Sequence, residues 1–198
     1  HYQKAEKMSP KNIKIQDGLT RVYALEESYE KAQIHLEKAI KLAPNDWKRH
    51  HNLGYFLLLQ GELDSAENHL RRALLLSSNA IEPQLALAEL YLNRSEPTRA
   101  LFEIERTLKM SSNASSWYLR GRAHFELRKY TEAEDDFRRA ILADPQHHEA
   151  RGSIGLCKIA QNDLEGAAQA FRSALRFDPN NKLAKQNLIQ VERELANP

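Results

Sequence analysis

Residues 114–147 read ASSWYLRGRAHFELRKYTEAEDDFRRAILADPQH, and their marks recur along the whole chain. Ala133 in this stretch belongs to a column with Ala32, Ala66, Ala100 and Ala167, at successive separations of 34, 34, 33 and 34 residues. Gly121 shares that step with the small residues Thr20, Gly54, Ala88 and Gly155, and Phe137 shares it with the large apolar residues Leu36, Leu70, Ile104 and Phe171. A period of about 34 residues with helical patterning is the mark of a solenoid, in which each unit buries its apolar face only against its neighbours. The expected fold is all-α, and a chain of this kind works by offering a surface rather than a catalytic pocket.

Each unit reads as two amphipathic helices and a short turn. In the second, Trp47 to Gln60 carries Leu53, Tyr55, Phe56, Leu57 and Leu59, Gly61-Glu62 interrupts, and Leu63 to Leu76 follows with Ala66, Leu70, Ala73 and Leu74 at spacings of three and four. Gly61 suits a helix end because it tolerates positive φ. Arg128-Lys129 and Asn162-Asp163 fill the same turn in later units, where Asn162 or Asp163 is placed to cap the next helix. Ser95-Glu96-Pro97 puts proline in the first turn of a helix, where it is tolerated. Units close on Ala43-Pro44-Asn45-Asp46, Asp144-Pro145-Gln146-His147 and Asp178-Pro179-Asn180-Asn181, and elsewhere on the softer Ser77-Ser78-Asn79 and Ser111-Ser112-Asn113.

These residues resemble the tetratricopeptide-repeat family, whose pattern runs Trp, Leu-Gly, Tyr, Ala, Phe, Ala, Pro. The fourth repeat supplies Trp117, Gly121, Ala133, Phe137, Ala140 and Pro145; the fifth supplies Ile154-Gly155, Ala167, Phe171, Ala174 and Pro179. Leu53-Gly54, Ala66, Leu70 and Ala73 carry the second, and Leu19, Tyr23, Ala32, Ala39 and Pro44 the first. The third has Leu87-Ala88, Tyr91 and Ala100 but Thr107 in place of alanine. His124 and Lys158 replace the usual tyrosine in the last two. The resemblance implies a right-handed α-solenoid of five stacked helix-turn-helix repeats, 13–46, 47–80, 81–113, 114–147 and 148–181. Residues 182–198 then read as a C-terminal capping helix with a stripe of Leu183, Leu188, Val191 and Leu195. Ala5 and Pro10 keep the spacing of Ala39 and Pro44, so residues 1–12 are expected to end the second helix of an earlier, truncated repeat, and the chain to be a fragment of a longer array.

Composition narrows the function. With 41% hydrophobic and 28% charged residues and a net charge of +2, basic and acidic side chains interleave without a basic stripe, which argues against nucleic acid as a partner. Arg71-Arg72 and Arg138-Arg139 occupy equivalent places and read as solvated helix faces. A single cysteine, Cys157, excludes a disulfide framework and reads as buried and inert. No run of about 18 apolar residues is available to span a membrane. His50-His51 and His147-His148 are adjacent pairs, pointing about 100° apart on a helix and poorly placed to share an ion. His35 and His69 hold equivalent positions and are expected at the surface. No nucleophile–base set, glycine-rich phosphate loop or cysteine cluster occurs, so no catalytic residue, cofactor or metal is expected.

In the family the first helices of the repeats line a concave groove that holds partner segments. Transferred to this sequence, that geometry implies a partner-binding groove of Arg21, Lys48, His51, Asn52, Tyr55, Leu85, Glu89, Tyr118, Arg122 and Phe125. Lys14, Asp17, Leu58, Leu59, Glu82, Leu92, Glu149, Leu156 and Ile159 stand beside them. Apolar and aromatic positions alternate there with single charges, which suits a protein partner presenting an amphipathic helix or an extended peptide. For Leu58, Leu92, Phe125 and Ile159, mere packing between repeats stays open. The clamp by which chaperone-binding members hold a C-terminal carboxylate does not fit. Only Asn52 matches it, while Asp17, Arg21, Glu82 and Ala86 stand in the other slots and the two acids repel a carboxylate. The expected function is a non-enzymatic scaffold or adaptor; the alternative is the recognition arm of a larger enzyme or of a bacterial secretion or polysaccharide-export machine.

Overall fold

The computed structural model describes residues 11–197, and among them it is all-helical. The helices are α1 (Ile13–Leu25), α2 (Tyr29–Leu42), α3 (Trp47–Leu59), α4 (Leu63–Leu76), α5 (Ile81–Asn93), α6 (Pro97–Met110), α7 (Ala114–Glu126), α8 (Tyr130–Ala143), α9 (His148–Ala160), α10 (Leu164–Phe177) and α11 (Lys182–Ala196). The helix end expected within residues 1–12 falls almost wholly outside the described residues, and Asn12 serves instead as the cap of α1. The chain divides into two compact units, His1–Leu90 and Tyr91–Pro198, with the boundary inside α5.

Short polar side chains start the helices. Asn12, Asp46, Asn113, Asp163 and Asn181 each accept a hydrogen bond from a backbone N–H two or three residues on, satisfying a donor that the first turn leaves without an intrahelical partner. At the turn between the helices of each repeat the backbone enters the left-handed region. Gly61 does so at φ 79°, as its sequence position predicts, but Glu27, Ser95, Arg128 and Asn162 adopt φ of 54°, 58°, 60° and 61° without being glycine. Pro97 occupies the first turn of α6.

The small and large columns face each other. In the first unit Gly54 of α3 lies so close to Leu70 of α4 that an added Cβ would sit 2.7 Å from it. In the second unit Gly121 meets Phe137, and Gly155 meets Phe171, each at 2.6 Å from such a Cβ. The alanine column is sealed: Ala32, Ala66, Ala100, Ala133 and Ala167 are all fully buried. On α11 the buried stripe is Ala184, Leu188 and Val191, packed on Ala167, Ala168 and Phe171. Leu183 and Leu195, read from sequence as part of it, are exposed. Spacings of four and three put Ala184, Leu188 and Val191 on one face, from which Leu183 is turned away.

The tyrosine slot is filled by two different chemistries. Tyr91 is buried under the Arg99 guanidinium, 4.1 Å from its ring, and its hydroxyl accepts from Arg99 at 3.2 Å. Where His124 and Lys158 replace it, acidic partners take over. His124 meets Asp136 at 2.8 Å, and Lys158 meets Glu134 at 3.2 Å and Asp163 at 3.3 Å. His35 is a correction: it is buried, not at the surface. Its ring stacks on Tyr23 and its Nδ1 bonds Gln16 Oε1 at 2.9 Å. His69 is half-buried and bonds His50 across the equivalent interface of the second repeat at 3.1 Å. Polar residues at this position face the partner helix, so surface exposure does not follow from polarity.

Candidate functional site

The ten groove residues separate into two groups, one in each unit. In the first unit α3 brings His51 and Tyr55 together, one turn apart, with ring centroids 6.3 Å apart. Glu82 and Glu89 of α5 face them closely enough to act on their protonation. Burial pushes the His51 imidazole below its ordinary range, against the pull of Glu82. Burial, then Glu89 and Tyr29, push the Tyr55 phenol up. His51 Nδ1 is buried without a hydrogen-bond partner. Tyr55 is 39% exposed and Leu59 47%, whereas Leu85 and Glu89 are half-buried. Arg21, Lys48 and Asn52 are exposed, and the Lys48 ammonium lies 5.7 Å from the Trp47 ring. Asp17 is otherwise engaged: Arg49 donates to both its carboxylate oxygens at 2.9 and 2.8 Å, joining α1 to α3.

In the second unit the structure gathers Tyr118, Arg122 and Phe125 of α7 at one cavity of about 310 Å³. They recur at spacings of four and three on a single helix face. Leu156 and Glu149 of α9 face them, Phe137 and Phe171 add to the apolar lining, and Asn181, Leu183, Ala184 and Asn187 close the α11 side. Tyr118 is held by His147 at 4.7 Å and Phe137 at 5.7 Å between ring centroids. Phe125 packs edge-on against Tyr130 at 5.3 Å. Arg122 makes no hydrogen bond or ion pair among the described residues, though it acts on Glu126, whose carboxyl burial pushes up while Arg122 pulls it down. The cavity is at the small end of ligand pockets, about 300–1,000 Å³, a size for one or two side chains with a cation at the rim.

Of the four residues whose packing role stayed open, Leu58 and Leu92 are buried at 5% and 3% exposure and belong to the core. Phe125 lines the cavity and Ile159 is exposed. Sequence reading missed Glu126, Asn181 and Asn187. Asn187 belongs to the segment read as a cover and Asn181 to the close of the fifth repeat, and only the packing of α11 on α10 brings the two to the cavity wall. Also missed was Arg120, which holds buried Asp136 through three contacts of 2.7–3.1 Å. Among the described residues no cluster of three or more metal-ligating side chains occurs, and no helix is long and apolar enough to cross a membrane.

A family model described as tetratricopeptide repeat matches residues 85–144 and again 118–182, and two further models of that description match 35–68 and 21–46. The chain is similar to RNA polymerase II-associated protein 3 of Xenopus tropicalis, 36% identical over 76 residues that make up 38% of this chain and 12% of that protein. The chain thus spans only a small part of that relative's length. Its fold is similar to the solved APC/C hetero-tetramer Cut9–Hcn1, with a TM-score of 0.84 and 20% identity over 96% of this chain and 38% of that one. It is also similar to PilW, a type IV pilus biogenesis factor, with a TM-score of 0.80 and 19% identity over 93% of each chain. At those identities the likeness to solved structures is one of fold alone.

Proposed function

Because the chain belongs to the tetratricopeptide-repeat family, we propose that it is a non-enzymatic adaptor that binds a peptide or helix of a protein partner. The observation that carries this is the cavity of the second unit, where Tyr118, Arg122 and Phe125 converge with Leu156 on a space of side-chain size. A partner inserts an aromatic or branched aliphatic side chain there, and the desolvated apolar contact supplies the affinity. Arg122, without a protein partner, supplies a polar contact at the rim. In the first unit the exposed Tyr55 and Leu59 extend the set of available anchors.

Selection of a displayed peptide library on the purified chain tests this directly. Selected peptides are expected to share an aromatic or aliphatic anchor. They are expected to lose at least about tenfold in affinity, roughly 1.4 kcal/mol, to a Tyr118→Ala, Phe125→Ala variant of matched thermal stability. Peptides that bind the variant as tightly as the parent sink the reading.

A further inference from the structure

Helix α9 has two working faces. Glu149, Gly152, Ser153 and Leu156 look into the cavity above, whereas Arg151, Ile154 and Lys158 form the floor of a separate, larger cleft of about 690 Å³ between α8 and α10. We propose that this second cleft docks a protein segment presenting a carboxylate beside aliphatic side chains, with Arg151 receiving the carboxylate.

The repeat pattern supplies the argument. Residues 19 apart meet across the two helices of a repeat: Gln16 bonds His35 at 2.9 Å, and His50 bonds His69 at 3.1 Å. In the fourth repeat the second of these positions is Asp136, which Arg120 holds. In the fifth the pair is Arg151 and Ala170, so the cation stands where a polar partner is due and finds a methyl group. Both residues line the cleft. One Arg151 Nη donates to the Pro145 carbonyl at 2.6 Å and the guanidinium lies 3.9 Å from the Phe177 ring centroid, which fixes its orientation. Its Nε is buried with no hydrogen-bond partner.

The charges around it are already matched. Arg138 pairs with Glu134 at 2.6 Å, and Lys158 with Glu134 and Asp163. Arg151 therefore brings the charge of this cleft that lacks a carboxylate at ion-pair distance among the described residues. A carboxylate satisfies it through charge-assisted bonds, while a neutral amide does so more weakly and an ammonium not at all. Beside the polar Gln169 and Ser173 the lining is aliphatic: Ile141 and Pro145 flank Ile154, and Leu142 stands 83% exposed. Such a surface selects aliphatic neighbours for the incoming acid.

The test uses fluorescence anisotropy of a fluorescein-labelled amphipathic peptide with Glu and Leu at i and i+4, beside its twin with Gln for Glu. The parent chain is expected to bind the Glu peptide at least tenfold more tightly than the twin. Arg151→Met and Ala170→Asp are each expected to erase that preference, the first by removing the receptor and the second by supplying an internal carboxylate. Tyr118→Ala, at a residue that lines the other cavity and not this cleft, is expected to keep the ratio between the two peptides even where it lowers both affinities. Equal or undetectable binding of the two peptides overturns the proposal, as does a preference that survives Arg151→Met or is lost only in Tyr118→Ala. A probe-free measurement runs alongside. Ala170→Asp is expected to melt several degrees above Ala170→Asn, and equal melting temperatures overturn the claim that Arg151 awaits an acid.

Discussion

Arg128 holds φ 60°, a conformation in which its Cβ crowds the backbone, while the equivalent Gly61 holds φ 79° without that crowding. The left-handed region costs a side-chain-bearing residue about 1–2 kcal/mol, offset in part by the greater freedom of an unfolded glycine. Arg128→Gly is therefore expected to raise stability by about 0.5–1 kcal/mol, and Gly61→Ala to lower it by about 1 kcal/mol, both read as shifts in the urea midpoint at constant m. Two glycines of α9 respond in opposite ways. A Cβ on Gly155 meets the buried Phe171 ring at 2.6 Å, whereas one on Gly152 meets nothing within 4 Å. Gly155→Ala is expected to cost about 1–3 kcal/mol through overpacking, and Gly152→Ala to gain up to about 1 kcal/mol through helix propensity. Equal shifts for the two would contradict the packing described. Two residues beyond Gly155 lies Cys157, fully buried, its thiol pushed up to about 12 by burial and then by Glu134. At pH 8 its alkylation is expected to proceed only through unfolding or opening, so labelling that is immediate in native buffer would refute the burial.

At the scale of the element, α7 and α8 are joined by more than apolar contact. Asp136, 3% exposed, takes Arg120 through both oxygens and His124 at 2.8 Å, and Arg120 reaches on to Glu105 of α6 at 3.1 Å. Removing one member leaves a buried charge unmatched. Asp136→Leu is expected to cost about 3–5 kcal/mol, whereas the same change combined with Arg120→Met returns close to the parent. Urea unfolding of the four-member cycle checks this, and additive single effects would show that the pair is not coupled. The apolar side of the helix pairing was legible in the sequence because the contact recurs in three repeats: Gly54, Gly121 and Gly155 stand against Leu70, Phe137 and Phe171. The polar side was not, because the position held by His35 and His69 carries Glu103, Asp136 and Ala170 in the later repeats, and polarity alone reads as exposure. The candidate site divides the same way. Tyr118, Arg122 and Phe125 lie on one face of one helix, and the resemblance to the family is what singled them out. Asn181 and Asn187 reach the cavity only through the packing of α11 on α10, which spacing does not encode.

For the whole molecule, the sign of the acid response follows from two imidazoles of the first unit. Burial pushes His51 below its ordinary range against the opposing pull of Glu82, and burial together with His50 pushes His69 down against Glu37. His50 donates its Nε2–H to the Pro44 carbonyl at 3.0 Å and faces His69 through its Nδ1 at 3.1 Å. The folded chain thus holds both His51 and His69 neutral at a pH where an unfolded histidine, titrating near 6.5, already takes a proton. The unfolded state then binds more protons than the native one, so stability rises with pH through this window. The contribution is complete above about pH 6.5 and is lost progressively as the pH falls below it toward the depressed folded values. Between pH 7.5 and 5.5, above the range in which ordinary carboxylates titrate, the melting temperature is expected to fall. In a His51→Gln, His69→Gln variant the fall is expected to be clearly shallower whatever the variant's absolute stability, because the slope reads proton uptake and not the packing lost. A variant as pH-sensitive as the parent would assign the acid response to other groups.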